Sequence, residues 1–304
     1  MASTKEIKDR IESVRETQKI TNAMYLISST KLRRAREDLA HTRPYFEALR
    51  GEIKRIFRTS SDIHSRYFYP PHEDDIKGGP YACLVITADK GLAGAYNQNA
   101  VKETMRVLAD HPGTKLFVVG EYGRHYFNQH HIPIEQSFLY TAQNPTLQRA
   151  REISSILLEG FNAGQWKKIY IVYTDMASSL ASAAQSTRLL PFHRAHFAST
   201  EEDHSSDSFE FMPDMVTVLD NMIESYISGF IYSALIDSFC SEQNARMTAM
   251  DAANENAQRL LDELSLQYNR VRQAAITLEI TEVSAGAKAQ RRKRQAAHKE
   301  RKDV

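Results

Sequence analysis

The sequence predicts an α/β protein. Long N- and C-terminal helices form an antiparallel coiled coil, and the middle of the chain folds as a Rossmann-like α/β domain with a mostly parallel sheet. Three observations carry this. Near the N-terminus, Ile7, Ile11, Val14, Gln18, Thr21, Tyr25, Ser28, Leu32, Ala35, Leu39, Thr42, Phe46, Leu49, Ile53 and Ile56 alternate steps of three and four. Near the C-terminus, Met247, Met250, Asn254, Ala257, Leu261, Leu264, Tyr268, Val271, Ala275 and Leu278 do the same. Between them, short apolar runs alternate with helical stretches, as in a sheet covered by helices on both faces.

The first helix is expected over 3–57, with Ser3 and Glu6 as a capping box. Pro44 costs about 3 kcal/mol in a helix interior, so a kink is expected near 40–44. Thr21, Ser28, Ala35 and Thr42 occupy successive positions of the seam. Small residues let backbones approach but bury less apolar area, roughly 0.8 kcal/mol less per missing CH₂. The seam therefore describes a shaft that is narrow or supported from outside. Pro, Gly and Ser mark residues 59–80 as a linker.

The α/β domain is expected over 81–200. YACLVITA (81–88), KLFVVG (115–120) and KKIYIVYTD (167–175) read as buried strands, with IPIEQSF and STRLLP (186–191) as shorter ones. Helices are expected over 93–110, 121–129 and 145–160, the last with Asn144 as cap and Pro145 at its first position. Residues 198–208 read as a polar loop. The last helix is expected from about Pro213 to 289, within a shaft of residues 1–58 and 209–289. At 1.5 Å per residue the two helices measure roughly 80 Å and roughly 110 Å, so the last one outruns its partner.

The composition of the 304 residues is that of a globular chain, and no run approaches the roughly 18–20 apolar residues of a membrane span. The charged N-terminus resembles neither a signal peptide nor a transit peptide. A cytosolic chain with indirect membrane association is expected. Cys83 and Cys240 are expected as buried, reduced thiols. The net charge of +1 hides a split: residues 1–58 and 288–304 are basic and the body between them is acidic. Such asymmetry suits an electrostatic partner.

No catalytic site, cofactor site or metal site is expected. Gly91-Leu92-Ala93-Gly94 lacks the full pattern of a phosphate loop and reads as a tight turn. His125, His130, His131, His193 and His196 lack metal-ligand spacing with a carboxylate companion.

Three separated motifs carry a family resemblance. ITLEITEVSAGAKA (276–289), with SEQNARMTAMDAANENA (241–257) and LQYNRVRQAAIT (266–277) before it, resembles the C-terminal signature of the F-type ATP synthase gamma subunit. STKEIKDRIESVRETQKITNAMYLISSTKLRRA (3–35) resembles that family's first helix, and TADKGLAGAYNQN (87–99) its first strand–turn–helix. The resemblance implies a central rotor shaft that couples ion flow through a c ring to ATP synthesis or hydrolysis. Its partners would be an alpha–beta hexamer, an epsilon subunit and the c ring, at the cytoplasmic face of the cell membrane. Beta-subunit contacts would fall to Met24, Arg246, Arg272, Gln273, Thr277 and Glu279, and contacts near the c ring to Phe209 and Phe211. On the residues alone, Arg246, Arg272 and Gln273 read as solvated helix surface, and the segment holding Phe209 and Phe211 reads as a helix entry with Pro in the first turn. Residues 290–304 form a basic extension beyond the signature. The competing reading is a free-standing coiled-coil adaptor whose tail binds nucleic acid.

Overall fold

A computed structural model describes residues 4–59, 65–69, 79–139, 141–176, 183–193 and 211–300, with backbone alone at 58, 59 and 292–300. The elements are α1 (Thr4–Thr59), β1 (Tyr81–Ile86), α2 (Tyr96–Asp110), β2 (Lys115–Val119), α3 (Glu121–Gln129), β3 (Ile134–Phe138), α4 (Leu147–Asn162), β4 (Lys168–Asp175), β5 (Ala183–Leu190) and α5 (Met215–Glu300). They divide into a larger unit, Tyr25–Ala249, and a smaller one, Met1–Met24 with Met250–Val304.

In the larger unit the sheet order is β3-β2-β1-β4-β5. The first four strands run parallel, and β5 pairs antiparallel to β4. Strand residues alternate between two apolar layers, as the period of two requires. Leu84, Ile86, Phe117, Val119, Ile169 and Ile171 join Ile53 and Ile56 of α1, Ile153 and Leu157 of α4, and Leu219, Ile223, Ile227 and Ile231 of α5. Cys83, Val85, Leu116, Val118 and Val172 face the other way, toward Val101, Val107 and Phe127 of α2 and α3. Both cysteines are buried and free. Burial pushes the Cys83 thiol up to about 12 and the Cys240 thiol up to about 11.

Several local expectations are corrected. Residues 65–69 lie within the stretch expected as linker, yet Tyr67, Phe68 and Tyr69 are 1%, 5% and 2% exposed. Their backbone pairs with Phe192: the Tyr69 N–H donates to its carbonyl at 3.1 Å, and its N–H donates to the Tyr67 carbonyl at 2.8 Å. Helix α4 is capped by Thr146, not Asn144: the Thr146 hydroxyl accepts from the Arg149 N–H at 3.3 Å, and Pro145 precedes the cap. Asp214 plays the same part for α5, accepting from the Thr217 N–H at 2.9 Å. Helix α1 runs unbroken through Pro44, and α5 runs through Gly286 to Glu300. The stretch after Gly286 is rich in Ala, Lys, Arg and Gln, whose helix propensity offsets the roughly 1 kcal/mol cost of one glycine.

Within the larger unit, α1 and α5 pack closely. A Cβ on Gly229 would lie 2.0 Å from the Phe46 ring, so glycine sets the approach there. In the smaller unit, the Gln18 amide donates to the Gln258 carbonyl oxygen at 3.3 Å, and the Thr21 hydroxyl donates to the Asn254 side-chain oxygen. Numbers fall along α1 as they rise along α5, so the pair is antiparallel. Ile7, Met250, Leu261 and Leu264 are buried, while Ile11, Val14, Gln18, Thr21, Asn254, Ala257, Tyr268 and Val271 are half-buried. From Arg272 to Arg291 every residue is exposed, so this part of α5 is a lone helix within its unit.

Candidate functional site

The lone part of α5 carries four of the residues singled out in the sequence. Arg272, Gln273, Thr277 and Glu279 are all exposed. The Thr277 hydroxyl donates to the Gln273 carbonyl one turn back, at 2.9 Å. Leu278, Ile280 and Val283 are 63%, 61% and 73% exposed. Large apolar side chains crowded on one exposed helix mark a surface that another molecule covers. In the same unit Met24 is half-buried beside the seam and Ile20 is exposed.

Arg246 is different. The residues alone read it as solvated helix surface and the resemblance implies a beta-subunit contact, yet it is buried in the larger unit. Its Nη1 lies 2.6 Å from Oε1 of Glu242, and only 10% and 8% of the two side chains is exposed. Its Nη2 donates to the carbonyls of Lys90 and Gly91 at 3.4 and 3.2 Å. Burial raises the Glu242 carboxyl above its ordinary value, with the Arg246 guanidinium opposing that rise. The sequence offered no local signal for this, because the acceptors come from the turn between β1 and α2.

That turn is held by its own network. Asn97 accepts from the Ala88 N–H at 2.9 Å and donates to the Lys90 carbonyl at 3.4 Å. Asp89 accepts from the Glu121 N–H at 3.0 Å through Oδ1. Its buried Oδ2 has no hydrogen-bond partner among the described residues. Leu92 and Gly94 both take positive φ, 61° and 52°. A phosphate cradle presents backbone N–H groups. This turn presents two carbonyls to a guanidinium, which is the opposite polarity.

The two aromatic residues before α5 separate. Phe211 is half-buried against the main core. Phe209 lies outside the described residues, as does His196. His125 sits 3.5 Å from Glu121, His130 stacks on Tyr126 and His193 stacks on Tyr69. Among the described residues no group of three His, Cys, Asp or Glu could hold a metal ion. Among them too, no helix is long and apolar enough to cross a membrane.

A family model described as ATP synthase matches residues 3–290. The ATP synthase gamma chain of Ruminiclostridium cellulolyticum is 40% identical over 292 residues, covering 94% of this chain and 98% of that one. The sodium-ion-specific ATP synthase gamma chain of Acetobacterium woodii is 37% identical over 302 residues, again covering 94% and 98%. Among solved structures, a chain of the Euglena gracilis mitochondrial ATP synthase in rotational state 3 superposes with a TM-score of 0.65 at 17% identity, covering 94% of each chain. That likeness is one of fold. The family match takes in both terminal helices and the α/β domain together, and nothing in it supports a free-standing adaptor with a nucleic-acid-binding tail. The chain belongs to the ATP synthase gamma-chain family.

Proposed function

We propose that this chain is the central stalk of an ATP synthase, turning inside a hexamer of alpha and beta subunits and coupling ion flow through a c ring to ATP synthesis or hydrolysis. The observation that carries it is the lone helix from Arg272 to Arg291, exposed throughout and studded with large apolar side chains. A surface of that kind needs an enclosing partner, and relatives of near-equal length are gamma chains. Arg272, Gln273, Thr277 and Glu279 would meet the beta subunits there, and Met24 would meet them on α1. Arg246 would add a contact through its exposed edge while staying bonded inside the chain. Phe209 and Phe211, before α5, would lie toward the c ring, and an epsilon subunit would complete the stalk. The assembly would sit on the cytoplasmic face of the cell membrane, held to it through the c ring.

The mechanism is mechanical. A ligand shifts an equilibrium only through differential contacts. An unevenly sided shaft offers a different face to each of three identical partners, so each catalytic site is biased differently at every angle. Small residues in the seam, with Thr21 bonded to Asn254, keep the helix pair thin. The test is co-expression with alpha and beta subunits followed by sizing and an ATPase assay. A complex with one copy of this chain per hexamer and turnover above that of the parts is expected. Failure to enter such a complex would refute the reading.

A further inference from the structure

The sheet order reverses at β1: β2 and β3 lie on one side of it, β4 and β5 on the other. In open α/β sheets the crevice beyond the carboxyl ends of the strands at such a point is where a ligand binds. Here it is filled from within. Along α5, Ser238 accepts from the Thr174 N–H at 3.1 Å and Ser241 donates to the Thr174 carbonyl at 3.3 Å, at the end of β4. One turn on, Ala245 packs against Ala88, Ala93 and Tyr96. Arg246 then closes the row on the carbonyls of Lys90 and Gly91, beyond the end of β1.

We propose that the Arg246–Glu242 pair takes the ligand's place in this crevice and acts as the joint by which the α/β domain holds α5. The chemistry of the turn fits that role. Two carbonyls and the nearby Asp89 carboxylate favour a cation, and a guanidinium fans out several N–H donors where an ammonium presents one point charge. Glu242 holds the guanidinium from the opposite side, at 2.6 Å. Arg246 is thus a positioning residue inside the chain, whatever its outer edge touches. In a stalk the same joint would pass torque between the α/β domain and α5; that torque-bearing role rests on the stalk reading above, and the joint itself does not.

Hydrogen–deuterium exchange on the full-length chain tests the joint without any partner. Arg246→Met is expected to speed exchange over residues 88–99 at least tenfold, with Arg246→Lys intermediate and Arg272→Met unchanged. Strand β1 should keep its protection in all of them. Glu242→Gln, which keeps an acceptor in place, serves if Arg246→Met does not fold, and should speed the same segment by a smaller factor. Unchanged exchange over 88–99 in every variant that folds would overturn the proposal, and so would an equal loss across β1, which would mark a general core residue. In the assembled enzyme, Asn97→Ala loosens the same turn and leaves the Arg246–Glu242 pair in place, because it removes the Asn97 bonds to the Ala88 N–H and to the Lys90 carbonyl that Arg246 also bonds. It should lower ion transport per ATP hydrolysed at least twofold, while a core variant of equal thermal stability should not. An unchanged ratio would remove the torque-bearing role and leave the stalk reading untouched.

Discussion

Arg246 and Glu242 sit one turn apart on α5, 2.6 Å from each other, with both side chains nearly out of solvent. The pair separates two kinds of cation on one helix. Arg272 stands in the open and is free to meet a partner, whereas Arg246 is already committed inside the chain. Breaking a buried ion pair from one side costs about 3–5 kcal/mol, because the other charge is left uncompensated. Arg246→Ala should therefore lower stability by about 3 kcal/mol in chemical denaturation. Arg246→Met with Glu242→Leu should recover most of it. Equal stability of Arg246→Ala and wild type would show that the pair contributes nothing.

Arg272→Ala and Gln273→Ala should behave in the opposite way. Exposed helix positions change stability by less than about 0.5 kcal/mol. The double variant should keep the melting temperature of the free chain and lower the ATPase of the assembled enzyme. Wild-type activity would mean that these side chains are merely solvated.

Gly229 faces the Phe46 ring so closely that a Cβ would lie 2.0 Å from it. Alanine normally gains about 1 kcal/mol over glycine in a helix. Gly229→Ala should nonetheless destabilise the chain, by about 1–3 kcal/mol, as over-packing does. Combining it with Phe46→Ala should reveal a coupling of at least about 0.5 kcal/mol in a double-mutant cycle. Strict additivity would show that the ring swings away freely.

Half-buried Asp237 has its carboxyl pushed up to about 6, first by burial and then by the Asp175 carboxylate, with Arg43 opposing. Its pKa is raised in the folded state, so the folded chain binds the proton more tightly than the unfolded one. Stability from this group is present below pH 4 and is lost as pH rises toward 6. Asp237→Asn should therefore stabilise the chain by roughly 1–2 kcal/mol at pH 7.5, less at pH 5 and negligibly near pH 4. A gain that does not depend on pH would point to packing instead.

The seam was legible over α1 and over α5 as far as Val271, because spacing alone determines it; Ala275 and Leu278, named in the same register, are exposed on the lone helix. Every α1 residue named from the heptads is buried or half-buried, including the polar Gln18, Thr21, Ser28 and Thr42. Strand positions were legible for a similar reason, since YACLVI and KLFVV are apolar runs of strand length. What stayed hidden depends on contacts distant in sequence. The turn that buries Arg246 is more than a hundred and fifty residues away from it. Tyr67, Phe68 and Tyr69 stand among Ser, Pro and Gly, and their pairing with Phe192 gives no local signal; the aromatic triplet itself was the clue. The capping residues were misplaced by two positions at α4, because Pro145 fits just before a cap as well as just after one.

The central claim is that this chain enters an alpha–beta hexamer and drives it. The most direct measurement is the ATPase rate and subunit ratio of alpha and beta subunits purified with and without this chain. One copy per hexamer, with turnover raised by the wild-type chain and much less by a chain truncated before Arg272, is the predicted result. A truncated chain that assembles and stimulates as well as the full one would contradict it.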